Sequence, residues 1–86
     1  MKIKDGFVIR KVAESYVVMK LGDELNFNGM ITLNETGAFI WNLVSLGFDE
    51  SQIAEKLTEE YEIDRNIALS DVNAFIIKMR EADVLE

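Results

Sequence analysis

The sequence predicts an α+β domain, with three antiparallel strands in its first third and three helices after them. Two observations carry this. Apolar and β-branched residues recur with a period of about two up to Leu33, and from Asn34 onward the period lengthens to about 3.6. Strands and helices are also segregated along the chain, which selects α+β over a parallel sheet with crossover helices.

Each element has its own local signal. Gly6-Phe7-Val8-Ile9-Arg10-Lys11-Val12 and Tyr16-Val17-Val18-Met19-Lys20-Leu21 are rich in β-formers, and a short loop around Ala13 to Ser15 makes them a hairpin. Gly22-Asp23-Glu24 interrupts the pattern. A third strand is expected from Phe27 to Leu33, with Phe27, Gly29, Ile31 and Leu33 on the core face. Asn34 is an N-cap residue, and Glu35 suits the positive end of the first helix. Phe39, Ile40, Leu43, Val44 and Leu46 form that helix's apolar stripe, with Gly47 at its end. Asp49 with Gln52 reads as a capping box for a second helix ending near Glu62, whose buried face is Ile53, Ala54, Leu57 and Tyr61. Asp64 or Asn66 opens the third helix, with core positions Ala68, Val72, Phe75, Met79 and Ala82. Phe39 and Phe75 are the expected buried anchors, and Trp41 reads as a core or partly buried anchor. Gly37, in a helix's first turn, reads as a point of close packing against the sheet. A compact helical trio carrying a small sheet is a winged-helix-like arrangement.

With 86 residues, 49% of them apolar and 29% charged, the chain reads as one small domain over residues 1–86. It has no cysteine and no histidine, so disulfides, thiolate metal sites and the commonest general base are excluded. A hydrolase or transferase is disfavoured, because His and Cys are missing from any nucleophile–base pair and no Lys or Asp cluster replaces them. The acids Glu55, Glu59, Glu60 and Glu62 of the second helix read as a solvated face. The first residues have no apolar signal core and no run reaches spanning length, so a cytoplasmic location is expected. Residues 1–33 carry five Lys/Arg against four acids; residues 34–86 carry four against twelve. A negative helical half repels phosphate backbones.

Two surfaces are left over. The third strand has no proline, lysine or inward charge from Phe27 to Leu33, so its edge is unprotected. The third helix has an apolar overhang: Leu69 and Ile76 flank its core stripe, with Asn73, Ile77 and Arg80 further round, while Asp71, Ala74, Lys78 and Glu81 occupy the other side. An extended peptide could add to the strand and bury side chains against the helix.

The run Leu33-Asn34-Glu35-Thr36-Gly37-Ala38-Phe39-Ile40-Trp41 resembles the signature of the PqqD-like family, PQQ-biosynthesis protein D. Ile53-Ala54, Asp71-Val72, Phe75, Met79 and Val84-Leu85 extend the likeness over nearly the whole chain. The resemblance implies a non-catalytic adaptor without a cofactor. It would bind the leader segment of a ribosomally made precursor peptide by strand addition and present it to a modifying enzyme, such as a radical-SAM maturase. Carried over by position, the peptide-binding residues would be Asn28, Gly29, Met30, Ile31, Thr32 and Leu33 on the strand, and Leu69, Val72, Asn73, Ile76 and Arg80 on the helix. Two other readings stay open: an interaction or oligomerisation module, and a DNA-binding winged helix. The second is opposed by Glu50, Glu55, Glu59 and Glu60 on the helix that would read the groove.

Overall fold

The structure is a computed structural model that describes residues 1–22 and 31–86. Three strands, β1 (Phe7–Val12), β2 (Ser15–Lys20) and β3 (Ile31–Leu33), precede three helices, α1 (Glu35–Ser45), α2 (Glu50–Tyr61) and α3 (Arg65–Glu81). This is the α+β order that the change of period predicts. The sheet is antiparallel, in the order β1-β2-β3. Of the expected third strand, Phe27 to Met30 lie outside the described residues.

The hairpin closes with Val12 opposite Ser15, so the loop is the two residues Ala13 and Glu14. Ala13 has φ +57°, a left-handed backbone that costs a residue with a Cβ about 1 kcal/mol. Across the sheet, Ile9, Val18 and Ile31 share one face with Tyr16 and Leu33. Val18 and Leu33 are buried beneath the helices, and Ile9, Tyr16 and Ile31 pack against the core from its margin.

The helix starts follow their caps. Asn34 Oδ1 accepts from the Gly37 amide at 2.8 Å. Asp49 and Gln52 make both bonds of a capping box, at 2.8 and 3.0 Å. Asp64, rather than Asn66, caps α3 by accepting from the Asn66 amide at 3.1 Å. Two expected core residues are corrected where helices end. Leu46 is 71% exposed because it is the cap of α1, beyond the last residue that faces the core. Ala82 is exposed because α3 stops at Glu81 and the chain reverses through Asp83 at φ +61°. That reversal buries Val84 and Leu85 instead.

The buried core joins Ile40, Trp41 and Val44 of α1 to Ile53 and Leu57 of α2, and to Val72, Phe75, Ile76 and Met79 of α3. Phe39 is only half-buried; its ring meets that of Tyr61 edge-on at 5.6 Å. No polar side chain is buried among the described residues. The two chain ends are tied together. Ile3 bridges Leu85, the Lys4 amide donates to the Val84 carbonyl and the Glu86 amide to the Lys2 carbonyl, both at 2.8 Å. The Lys4 ammonium is bonded to the Asp83 carboxylate, which holds that carboxyl below the ordinary aspartate range.

Candidate functional site

The outer edge of β3 is the natural starting point. In a two-residue hairpin the residues flanking the turn form a hydrogen-bonded pair, so Ser15 and Val17 direct their backbone groups toward β1. Tyr16 and Val18 therefore bond outward to Leu33 and Ile31. Thr32, opposite Val17, is left with its N–H and C=O pointing away from the sheet. The Thr32 carbonyl accepts a bond from the Lys78 ammonium of α3 at 3.2 Å. An exposed edge carrying a lysine is a protected edge. The protection absent from the strand's own sequence is thus supplied from the helix.

Between this edge and α3 lies an open groove of about 540 Å³. Thr32 and Leu33 form one wall; Asp71, Ala74, Phe75 and Lys78 form the other. The start of α1, with Thr36, Gly37 and Ile40, makes the floor, and Glu14 and Ser15 of the hairpin close one end. The groove lining mixes polar residues with the apolar Leu33, Ile40, Ala74 and Phe75. Its titratable lining residues are Glu14, Asp71 and Lys78, and no group of three or more acids placed to hold a metal ion exists among the described residues.

Gly37 shapes the floor. A Cβ placed there would lie 3.2 Å from Leu33 Cβ and 3.3 Å from Asn34 Oδ1. This is the close approach to the sheet that a glycine in the first turn predicts. Absence of a side chain lets α1 seat directly on the last residue of β3.

The expected site residues divide into three groups. Ile31, Thr32 and Leu33 stand at the edge strand, with Thr32 and Leu33 in the groove wall. Asn28, Gly29 and Met30 lie outside the described residues. On α3 the expected flank needs correction. Val72 and Ile76 are 1% and 2% exposed, so both are core residues with no surface to offer. Leu69, Asn73 and Arg80 are exposed, but none of them lines the groove. On a wheel of about 100° per residue, their side of α3 lies about 150° from that of Asp71, Ala74 and Lys78. The helical period defines the buried stripe, but which flank of it meets β3 depends on how the helix packs. The one local signal for the correct flank is spacing. Asp71, Ala74 and Lys78 share a face, and the small residue between two polar ones leaves room above it.

A small α+β domain with an open groove between an edge strand and its last helix is the class that fold and site define. The family model described as coenzyme PQQ synthesis protein D (PqqD) matches residues 15–85, and the chain belongs to that family. Two solved structures share the fold. One is TbiB1 in complex with the TbiA(beta) leader peptide, with 26% identity, a TM-score of 0.80, and coverage of 100% of this chain and 95% of the other. The second is lasso peptide synthetase B1 complexed with the leader peptide, with 21% identity, a TM-score of 0.80, and coverage of 99% and 95%. No curated protein matches this chain.

Proposed function

We propose that this protein binds the leader segment of a ribosomally made precursor peptide as an added strand on β3, without catalysis of its own, and presents it to a modifying enzyme. The observation that carries the reading is the groove itself. One wall is an edge whose outward N–H and C=O at Thr32 are free of any strand partner among the described residues, and the other is a helix face. Strand addition takes affinity from main-chain bonds and selectivity from alternate side-chain pockets. The likeness to TbiB1, a structure holding a leader peptide, supports the same reading.

In this proposal the leader runs along Asn28 to Leu33 and faces Ala74 and Phe75 on α3. The Lys78 ammonium gives up the Thr32 carbonyl as the peptide arrives. Leader side chains lie over the exposed Thr32 and Ala74 and the half-buried Thr36 and Gly37, above the core residues Leu33, Ile40 and Phe75. The enzyme that receives the peptide, a radical-SAM maturase in the reading from resemblance, is the finer part of the proposal. Backbone amide shifts of labelled protein, titrated with candidate leader peptides, test the site. Shifts centred on Thr32, Leu33, Ala74 and Lys78 are expected. Shifts confined to α2 or β1 would refute strand addition.

A further inference from the structure

A second cavity, of about 320 Å³, opens on another side of α1. Tyr16 of β2, Phe39 and Trp41 of α1 and Tyr61 of α2 contribute its aromatic walls, and Glu35 and Glu60 stand at it. Both tyrosines and the single tryptophan of the chain meet here. Trp41 is buried, whereas Tyr16, Phe39 and Tyr61 keep part of their surface open to solvent.

The helix dipole accounts for one of the two acids and not for the other. Glu35 sits in the first turn of α1, where the helix dipole favours it. Glu60 sits in the last turn of α2, at the negative end of the dipole, where a carboxylate is disfavoured. Neither acid has an ion-pair partner among the described residues, whose ion pairs are Lys2–Glu86 and Lys4–Asp83. Their field reaches into the cavity: burial first, and then Glu35 and Glu60, hold the Tyr61 hydroxyl above its ordinary pKa. At the margin, the Lys11 ammonium already lies 5.9 Å from the centre of the Tyr16 ring.

We propose that this aromatic and carboxylate-lined cavity receives an arginine side chain presented by a protein partner, at a site separate from the β3–α3 groove. Ring faces attract a cation through their quadrupole, and two carboxylates supply charge-assisted hydrogen bonds. The planar, weakly hydrated guanidinium satisfies both better than a compact ammonium. The partner is basic, because the chain carries −7 and its acids outnumber Lys/Arg twelve to four in residues 34–86. On α1 the residues of the two cavities (Thr36, Gly37 and Ile40 against Glu35, Ala38, Phe39, Trp41 and Asn42) have mean directions about 170° apart. Occupying one leaves the other open. The proposal does not rest on the peptide reading; if both hold, the domain bridges a leader and a partner from opposite sides of one helix.

The test titrates the labelled full chain with the peptide Ala-Arg-Ala, with Ala-citrulline-Ala as the uncharged isostere and tetramethylammonium as a small-cation probe. Saturable shifts are expected at the Trp41 indole N–H and at the Phe39 and Tyr61 amides, weakening with added salt, while Thr32 and Lys78 stay unmoved. Both acids are exposed, so the double variant Glu35→Gln/Glu60→Gln should melt as the parent does and bind the arginine peptide about tenfold or more weakly. The proposal is overturned by an absent response, by an equal response to citrulline, by tetramethylammonium binding better than the arginine peptide, or by shifts confined to the groove. A leader peptide that fails to bind would refute the groove reading and leave this one standing.

Discussion

At the residue scale, burial decides which side chains can be changed without loss of the fold. Ile76 is 2% exposed, so Ile76→Asp places a charge in the core with no partner and is expected to unfold the domain at room temperature. Circular dichroism reads this directly; a native spectrum with an unchanged denaturant midpoint would show that α3 is rotated from its described position. Phe75, 5% exposed, is expected to cost about 3–5 kcal/mol on truncation to alanine. Partly buried Phe39, packed at the core's margin, should cost less than Phe75, because part of its ring is already wet. For Gly37→Ala two effects compete: helix propensity gains up to about 1 kcal/mol, less in a first turn, and overpacking costs about 1–3 kcal/mol. The contact at 3.2 Å is with a Cβ fixed to the β3 backbone, which no rotamer change can relieve. A net loss of about 1 kcal/mol is therefore expected by denaturant titration.

At the element scale, β3 separates pairing that holds the sheet from pairing offered outward. Proline at Thr32 removes an N–H that points away from β2, so Thr32→Pro should keep the sheet yet abolish leader binding. Proline at Ile31 removes a donor that β2 uses and should destabilise the fold itself. Paired melts and peptide titrations of the two variants tell these apart; leader affinity unchanged in Thr32→Pro would count against strand addition. The tie between chain ends has a pH signature. The folded Asp83 carboxyl is depressed by its Lys4 partner, so the stabilisation is present above the ordinary aspartate pKa. It is lost as pH falls through the lowered folded value. Asp83→Asn should remove that part of the acid limb of the stability profile, and a carbon-detected titration should place the Asp83 carboxyl below an ordinary aspartate.

At the scale of the whole molecule, charge selects partners. Twelve acids against four Lys/Arg in residues 34–86 make the helical half repel phosphate backbones, so binding to arbitrary duplex DNA should be negligible at physiological salt. Fluorescence anisotropy with a random duplex checks this. Low-micromolar affinity that weakens steeply with salt would favour a regulator over a peptide adaptor. None of the described helices is long and apolar enough to cross a membrane.

Much of this molecule follows from local rules written in the chain. The change of period at Asn34 marks where strands give way to helices, and Asn34 and Asp49 cap their helices through their own neighbours' amides. Gly37 marks a close approach because a first-turn glycine needs a steric reason. These features act over a few residues, so sequence determined them. The helix half of the groove could not be read in the same way. Periodicity located the stripe Ala68, Val72, Phe75 and Met79, but both flanks of a stripe are equivalent until the helix docks. Docking turned Asp71, Ala74 and Lys78 toward β3 and left Leu69, Asn73 and Arg80 on the far flank. The aromatic cavity has the same origin: Tyr16, Phe39 and Tyr61 come from three elements, and only packing of the sheet, α1 and α2 brings their rings and the carboxylates of Glu35 and Glu60 together. Sequence determined the elements and their buried faces, because those depend on neighbours along the chain. Tertiary structure alone decided which exposed flanks face one another, because that depends on how whole elements pack.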